Sequence, residues 1–111
     1  MAVSYKVLGQ TKPAAATATT AYTVPTGAGN YAVVSTISVV NLSTSVDAIR
    51  IAVRPAGETL EDKHYVVFDQ SLAAYQSIFY TIGITAASTD VITVRSLNGT
   101  SAFNIFGSEN S

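Results

Sequence analysis

The residues that could carry chemistry gather in one stretch of the chain, residues 46–69. It holds the only histidine, His64, with Asp62 and Asp69 close to it in sequence. A serine nucleophile that used this histidine as its base would also need an orienting carboxylate and an oxyanion hole, and no Gly-x-Ser-x-Gly elbow is present. A single histidine at the start of a strand is usually a structural polar residue. The sequence therefore argues against a catalytic site.

Cofactor and metal sites are also disfavoured. Glu58, Glu61 and Asp62 form a small carboxylate cluster, but they lack the alternating spacing and the glycine of a calcium loop, so a solvated acidic loop is the better interpretation. The chain has no cysteine, which excludes disulfides and thiolate ligands. Residues 27–32 fit a loose dinucleotide fingerprint, but a β-branched strand follows where a helix is needed. We predict no enzymatic activity, no metal and no cofactor.

Two arginines of the same stretch suggest a contact surface instead. Arg50 and Arg54 lie four residues apart on a strand, so they share the face opposite Ile49 and Ile51. They could form ion pairs with the acidic loop 58–62 of a neighbouring subunit and so fix how the two subunits align. Pairing with the same loop of their own chain is the favoured alternative, because hairpin neighbours meet easily. The interface candidates are Arg50, Arg54, Glu58, Glu61, Asp62, Lys63, His64 and Tyr65.

Composition limits the classes of partner. Charged residues make up 12% of the 111 residues, about half the usual share, and the polar surface must be built mainly from serine and threonine. The net charge of −1 gives little repulsion between copies. The composition therefore fits either a plain threonine-rich β domain or a subunit that packs against copies of itself, as a homo-oligomer, or against other subunits. The six Lys and Arg residues are scattered, so we expect no nucleic-acid partner. No signal peptide or membrane-length apolar run is visible, so we expect no membrane association.

The elements that must position these residues are short strands. Runs rich in β-branched residues alternate with turn residues, and no long helix is predicted. About eight strands in 111 residues predict one domain, residues 1–111. We expect a single antiparallel β-sandwich, either jelly-roll-like or immunoglobulin-like, with its connectivity open. Residues 31–40 should be a central strand, because their apolar content would be hazardous at an edge. The Ala/Thr-rich segment 10–20 is either an arm or a loop lying across neighbouring elements.

Three local predictions concern turns and ends. Asn98-Gly99 is the strongest hairpin signal, so it should join two paired strands. Residues 77–84 alternate and should form one strand that points Ile82 inward together with Ile78, Tyr80 and Ile84. The polar tail 107–111 should fray.

Strand and turn signatures lie in residues 2–10, 22–25, 33–41, 50–57, 63–65, 81–85 and 103–109. In these segments the chain resembles a group of small virion structural proteins of tailed phages, especially phages of cyanobacteria. The turn after Asn41, Leu-Ser-Thr-Ser, departs from the Gly- or Arg-containing turn of that group, so no contact is carried over to it. The resemblance covers nearly the whole chain through strand and turn signatures rather than site motifs.

The resemblance implies a non-enzymatic role in the virion, which would be assembled in the host cytoplasm. The leading hypothesis is a capsid cement or decoration protein that binds the outside of the head as an oligomer and stabilises contacts between capsomers. Its partners would be the major capsid protein or other virion subunits. The alternatives are a collar, tail or baseplate fibre-attachment subunit, and a receptor- or glycan-binding module.

Overall fold

The computed structural model describes residues 2–111, which form nine strands in two antiparallel sheets packed together. This confirms the all-β sandwich, with one strand more than expected. The strands are β1 Val3–Thr11, β2 Thr19–Thr23, β3 Tyr31–Asn41, β4 Asp47–Arg54, β5 Tyr65–Leu72, β6 Ser77–Tyr80, β7 Ile84–Ala87, β8 Val91–Ser96 and β9 Ser101–Asn110. Two single 3-10 turns, Pro55–Gly57 and Asp62–His64, lie between β4 and β5.

The strand pairings decide the connectivity. Sheet A has the order β1-β9-β3-β6, with β7 also paired to β3, and sheet B has the order β2-β8-β4-β5. The first strand thus pairs with the last, the second with the next to last, and β4 with β5. Such nested antiparallel pairs describe one long hairpin wound into two sheets, which is a jelly roll.

The core lies between the inner faces of the two sheets. Alternation places Ile49 and Ile51 of β4 inward with no exposed surface, as their spacing predicts, and leaves Arg50 on the opposite face. From the other sheet, β3 and β9 contribute the largest buried side chains. These are Ile37, Val39, Phe103 and Ile105. β3 lies between β9 on one side and β6 and β7 on the other, so the central position predicted for residues 31–40 is confirmed.

Two local predictions are wrong. Gly99 has the positive φ of +71° that a tight turn requires, but the strands on either side, β8 and β9, belong to different sheets. Asn98-Gly99 therefore turns the chain from sheet B to sheet A and makes no hairpin. Residues 77–84 do not form one strand either, because the chain breaks between β6 and β7 and leaves Ile82 48% exposed.

The chain ends are better ordered than the sequence indicates. β9 continues to Asn110 between β1 and β3, so the prediction that residues 107–111 fray is wrong. Ala2 and Ser111 also exchange two backbone hydrogen bonds, each of 3.1 Å. Of the two alternatives for the segment 10–20, an arm or a loop across neighbouring elements, the structure has the loop. It ends β1, packs Ala15 and Ala16 against Ser96 through a parallel bridge and a 2.9 Å hydrogen bond, and leads into β2.

Candidate functional site

The ionic side chains concentrate on the outer face of sheet B and on the segment 55–64 beside it; we call this the charged surface. Its centre is Arg50 on β4, whose guanidinium donates two hydrogen bonds to Asp69 of β5, with Nε 2.6 Å from Oδ1 and Nη2 3.1 Å from Oδ2. Arg95, directly opposite Arg50 on β8, reaches the same carboxylate at 3.9 Å. The hydrogen bond from Arg50 lowers the pKa of Asp69.

Aromatic side chains border this ion pair. The Arg50 guanidinium lies 4.1 Å from the centre of the Phe68 ring and 5.8 Å from that of Tyr65, which are cation–π distances. Tyr65 and Phe68 pack edge to face with their centres 4.9 Å apart. Together with Asp62 they line a shallow depression. The arrangement combines an apolar ring surface with a carboxylate.

Arg54 secures the segment that follows its strand. Its Nε donates to Thr93 Oγ1 at 3.0 Å, and its Nη1 donates to the backbone carbonyl of Glu58 at 2.9 Å. Neither arginine therefore pairs with a carboxylate of the loop 58–62, because Arg50 is engaged by Asp69 and Arg54 by carbonyl oxygens. The intrachain pairing expected from the sequence exists for Arg54 only through the backbone of the loop.

His64 is a positioning residue within this segment. It is only 5% exposed. Its Nδ1 accepts a hydrogen bond from the backbone N–H of Glu61 at 3.0 Å, so Nε2, 3.2 Å from Glu58 Oε1, carries the proton in the neutral ring. Both ring nitrogens are thus engaged in holding the loop, and the 5% exposure of His64 leaves little of its surface for a partner. Its place among the interface candidates stays a prediction.

The other candidates form one surface. Arg50, Arg54 and Tyr65 are half-buried, while Glu58, Glu61, Asp62 and Lys63 are exposed. Lys63 Nζ lies 3.5 Å from Glu61 and 3.8 Å from Glu58, so one lysine neighbours two carboxylates of the loop. Sequence reasoning missed Phe68, Asp69 and Arg95 as members of this surface. Alternation along residues 91–96 could have placed Arg95 on an outer face, but its register with Arg50 arises from β4–β8 pairing alone.

The opposite side of the sandwich, the outer face of sheet A, has different chemistry. Pairing register assigns the outward positions of β1, β9, β3, β6 and β7, and none of these positions holds a charged residue. Tyr5 is 87% and Phe79 68% exposed. We call this surface the neutral face. Its apolar members are Val3, Tyr5, Val7, Tyr31, Val33, Val40, Phe79, Ala87, Ala102 and Phe106.

Two polar clusters hold the sandwich together between these surfaces. In the first, the buried Tyr22 hydroxyl donates to Glu109 at 2.5 Å, and Lys6 approaches the other carboxylate oxygen at 2.9 Å. The hydrogen bonds from Tyr22 and Lys6 hold the pKa of Glu109 below its usual range, and burial together with this carboxylate raises the pKa of Tyr22. The cluster ties β1 and β9 of one sheet to β2 of the other.

The second cluster surrounds Asp47, which is 1% exposed at the start of β4. Its Oδ2 accepts from Ser96 and from Ser101, the latter at 2.6 Å, and its Oδ1 accepts from the backbone N–H of Asn98 at 2.9 Å. Burial by itself acts to raise the pKa of Asp47, but the hydrogen bonds outweigh it and hold the pKa low. The carboxylate fixes the turn that carries the chain between the sheets.

Within residues 2–111, no three His, Asp or Glu side chains are arranged to hold a metal ion. No helix in that range is long and apolar enough to cross a membrane. Comparisons with protein-family models, with curated proteins and with solved structures give no match.

Proposed function

We propose that this chain is a non-enzymatic structural protein of a tailed-phage virion, acting as a cement or decoration protein on the outside of the head. The observation that carries the proposal is the separation of an ionic surface on sheet B from an uncharged surface on sheet A. A protein that joins neighbouring subunits needs two contact surfaces, and the two chemically different faces on opposite sides of this sandwich would suit that need. The resemblance to small phage virion proteins supplies the setting.

The charged surface suits a contact with another virion subunit, such as the major capsid protein. Its exposed charges of both signs, Glu58, Glu61 and Lys63, would set the register of docking and the choice of partner more than the strength of binding. Many weak contacts repeated over a shell reinforce it without high affinity at any single site. Jelly rolls serve in viral capsids and in lectins, so the fold agrees with the proposal without deciding it.

A second candidate function is a receptor- or glycan-binding module. The depression lined by Asp62, Tyr65 and Phe68 favours it, because an aromatic face can stack on a sugar ring while a carboxylate accepts hydrogen bonds from its hydroxyls. A glycan array probed with the purified chain tests this candidate. Binding that is lost in Phe68→Ala and kept in Phe79→Ala would support it over the cement role, while a blank array would remove it.

The experiment that tests the cement role is gold labelling of intact particles of the encoding phage with an antibody raised against this chain. Gold spread over the head supports the proposal. Gold confined to the neck, tail or baseplate would replace it with an attachment role, and particles without gold would overturn a virion role.

A second experiment tests whether the charged surface makes the contact with the particle. Purified chain is added to particles from which the protein has been stripped, and its occupancy is measured. Lys63→Glu should lower occupancy, whereas Lys12→Glu, a charge reversal in the loop after β1, should not.

A further inference from the structure

We infer that the neutral face binds a second copy of this chain, with the two sheets A packed face to face about a twofold axis. The inference adds one partner to the proposed function. It rests on that function only for the biological context, the virion, in which the dimer would act. The association itself is a property of the purified chain. Its failure can therefore be told apart from failure of the virion role.

The absence of charge on the neutral face favours a second copy of the same face as its partner. Every outward position on the strands of sheet A is uncharged, so two such faces can meet without like-charge repulsion and without burying an unpaired ion. A nucleic acid or an acidic protein would need cationic groups that this face lacks. A twofold pair uses the same patch on both subunits, which a neutral patch tolerates at every position.

The size of the face matches what a stable pair needs. β3 has 11 residues and so spans about 36 Å, and four strands side by side cover about 19 Å. The projected area is therefore about 700 Å², close to the roughly 800 Å² that each partner buries in a standard interface.

The relief of the face is also self-complementary. Tyr5 on β1 and Phe79 on β6 protrude near opposite edges of the sheet. Two shallow grooves run along the face. One is lined by residues that include Tyr31, Val33, Thr85, Ala87 and Asp90, and the other by Tyr5, Lys6, Val33, Ser35, Phe106, Gly107 and Ser108. A protruding ring on one copy can thus fill a groove on the other. Tyrosine and phenylalanine are enriched in the buried centres of interfaces.

Two charged residues line the edges of these grooves, and each is satisfied within its own chain. Lys6, at one rim, is paired with Glu109 at 2.9 Å. Asp90, at the end of one groove, accepts hydrogen bonds from the backbone N–H groups of Ala87 and Ala56 at 2.8 and 2.9 Å. Both are satisfied within their own chain, so pairing of two faces leaves no ion unpaired. An uncharged centre with a polar rim is the usual anatomy of a protein interface.

The test is the mass of the purified chain in solution, measured by sedimentation equilibrium over a range of concentrations. We expect twice the 11.6 kDa of one chain. Phe79→Lys and Tyr5→Lys should each weaken dimerisation roughly 100-fold or more, because each places an unpaired charge in the interface. Phe68→Lys is the matched control, since this ring is 55% exposed on the opposite sheet; it should dimerise like the parent chain.

Because the three rings are exposed, the variants should keep the circular dichroism spectrum of the parent chain, which separates lost association from lost folding. A parent chain that remains at 11.6 kDa at high concentration overturns the inference. So does a mass of three chains, since two faces that cover each other leave none for a third. Dissociation by Phe68→Lys, with none by Phe79→Lys, would move the interface to sheet B and also overturn it.

Discussion

Replacing Asp47 with alanine should destabilise the sandwich more than any change to a surface carboxylate. The substitution removes the acceptor of the Ser96 and Ser101 hydroxyls and of the Asn98 N–H. Each buried donor left without a partner costs about 1–3 kcal/mol. Hydroxyl rotation recovers part of the loss, so we expect a decrease of about 3–5 kcal/mol in the free energy of unfolding, a large share of the roughly 5–15 kcal/mol of a typical domain.

The assay is urea unfolding followed by far-ultraviolet circular dichroism, because the chain contains no tryptophan. Asp62→Ala is the matched control. Its carboxylate is exposed on the segment 55–64, so its loss should change the free energy of unfolding by no more than about 0.5 kcal/mol. If Asp47→Ala unfolds within about 1 kcal/mol of the parent chain, the carboxylate does not hold the turn between the sheets and the reasoning fails.

Acid adds a second measurement to the same variants. A folded-state pKa below the ordinary value of 3.8 means that the unfolded chain binds the proton more tightly. The contribution of Asp47 is therefore complete above about pH 4 and is lost as pH falls through the lowered pKa. Asp47→Asn, which keeps the shape, should cost less than Asp47→Ala at pH 7. Its deficit should shrink on acidification; a deficit that is constant between pH 7 and pH 3 contradicts the assignment.

Four further outcomes are expected. Glu109→Gln should weaken the loss of stability that acid causes below about pH 4.5, because the pKa of Glu109 is lowered in the fold; acid titrations monitored by circular dichroism will show an unchanged slope if this is wrong. Gly9→Ala should destabilise by about 1–3 kcal/mol or more, since its Cβ would lie 2.1 Å from Ala21 O. Gly83→Ala, with open space around it and φ +59°, should cost only about 1 kcal/mol in urea unfolding. Ile82→Ser should leave the thermal midpoint nearly unchanged, whereas a drop like that of a core variant would place Ile82 inside.

Sequence reasoning was most successful where a pattern is local and repeats. The alternation around Ile49 and Ile51 predicted a strand with one buried face, and Arg50 and Arg54 share the other. Burial has a period of two along any strand, so this information is present in the residues themselves. The same reasoning could not find Asp69 as the partner of Arg50, because the pairing depends on the β4–β5 register and its bulges.

Local signals failed where a remote element decides the outcome. Asn98-Gly99 does turn the chain, as its residue types require, but the destination of the next strand is set by pairing with β1 and β3 rather than by the turn. The tail 107–111 has no strand signal of its own, and it is ordered because β9 lies between two neighbours that satisfy its backbone groups. Residues 77–84 show the converse, since an alternating run is broken at Gly83, where φ is +59°.

The sequence by itself determined the all-β class, the single sandwich, the buried faces of its strands and the absence of thiol chemistry, because composition and periodicity are local properties. Tertiary structure alone decided the rest. Nested pairing selected the jelly roll, and contacts across 49 and 54 residues of chain joined Ser96 and Ser101 to Asp47. The same pairing gathered the uncharged residues of five strands into one face. Such contacts are between residues distant in sequence, so only the folded register can bring them together.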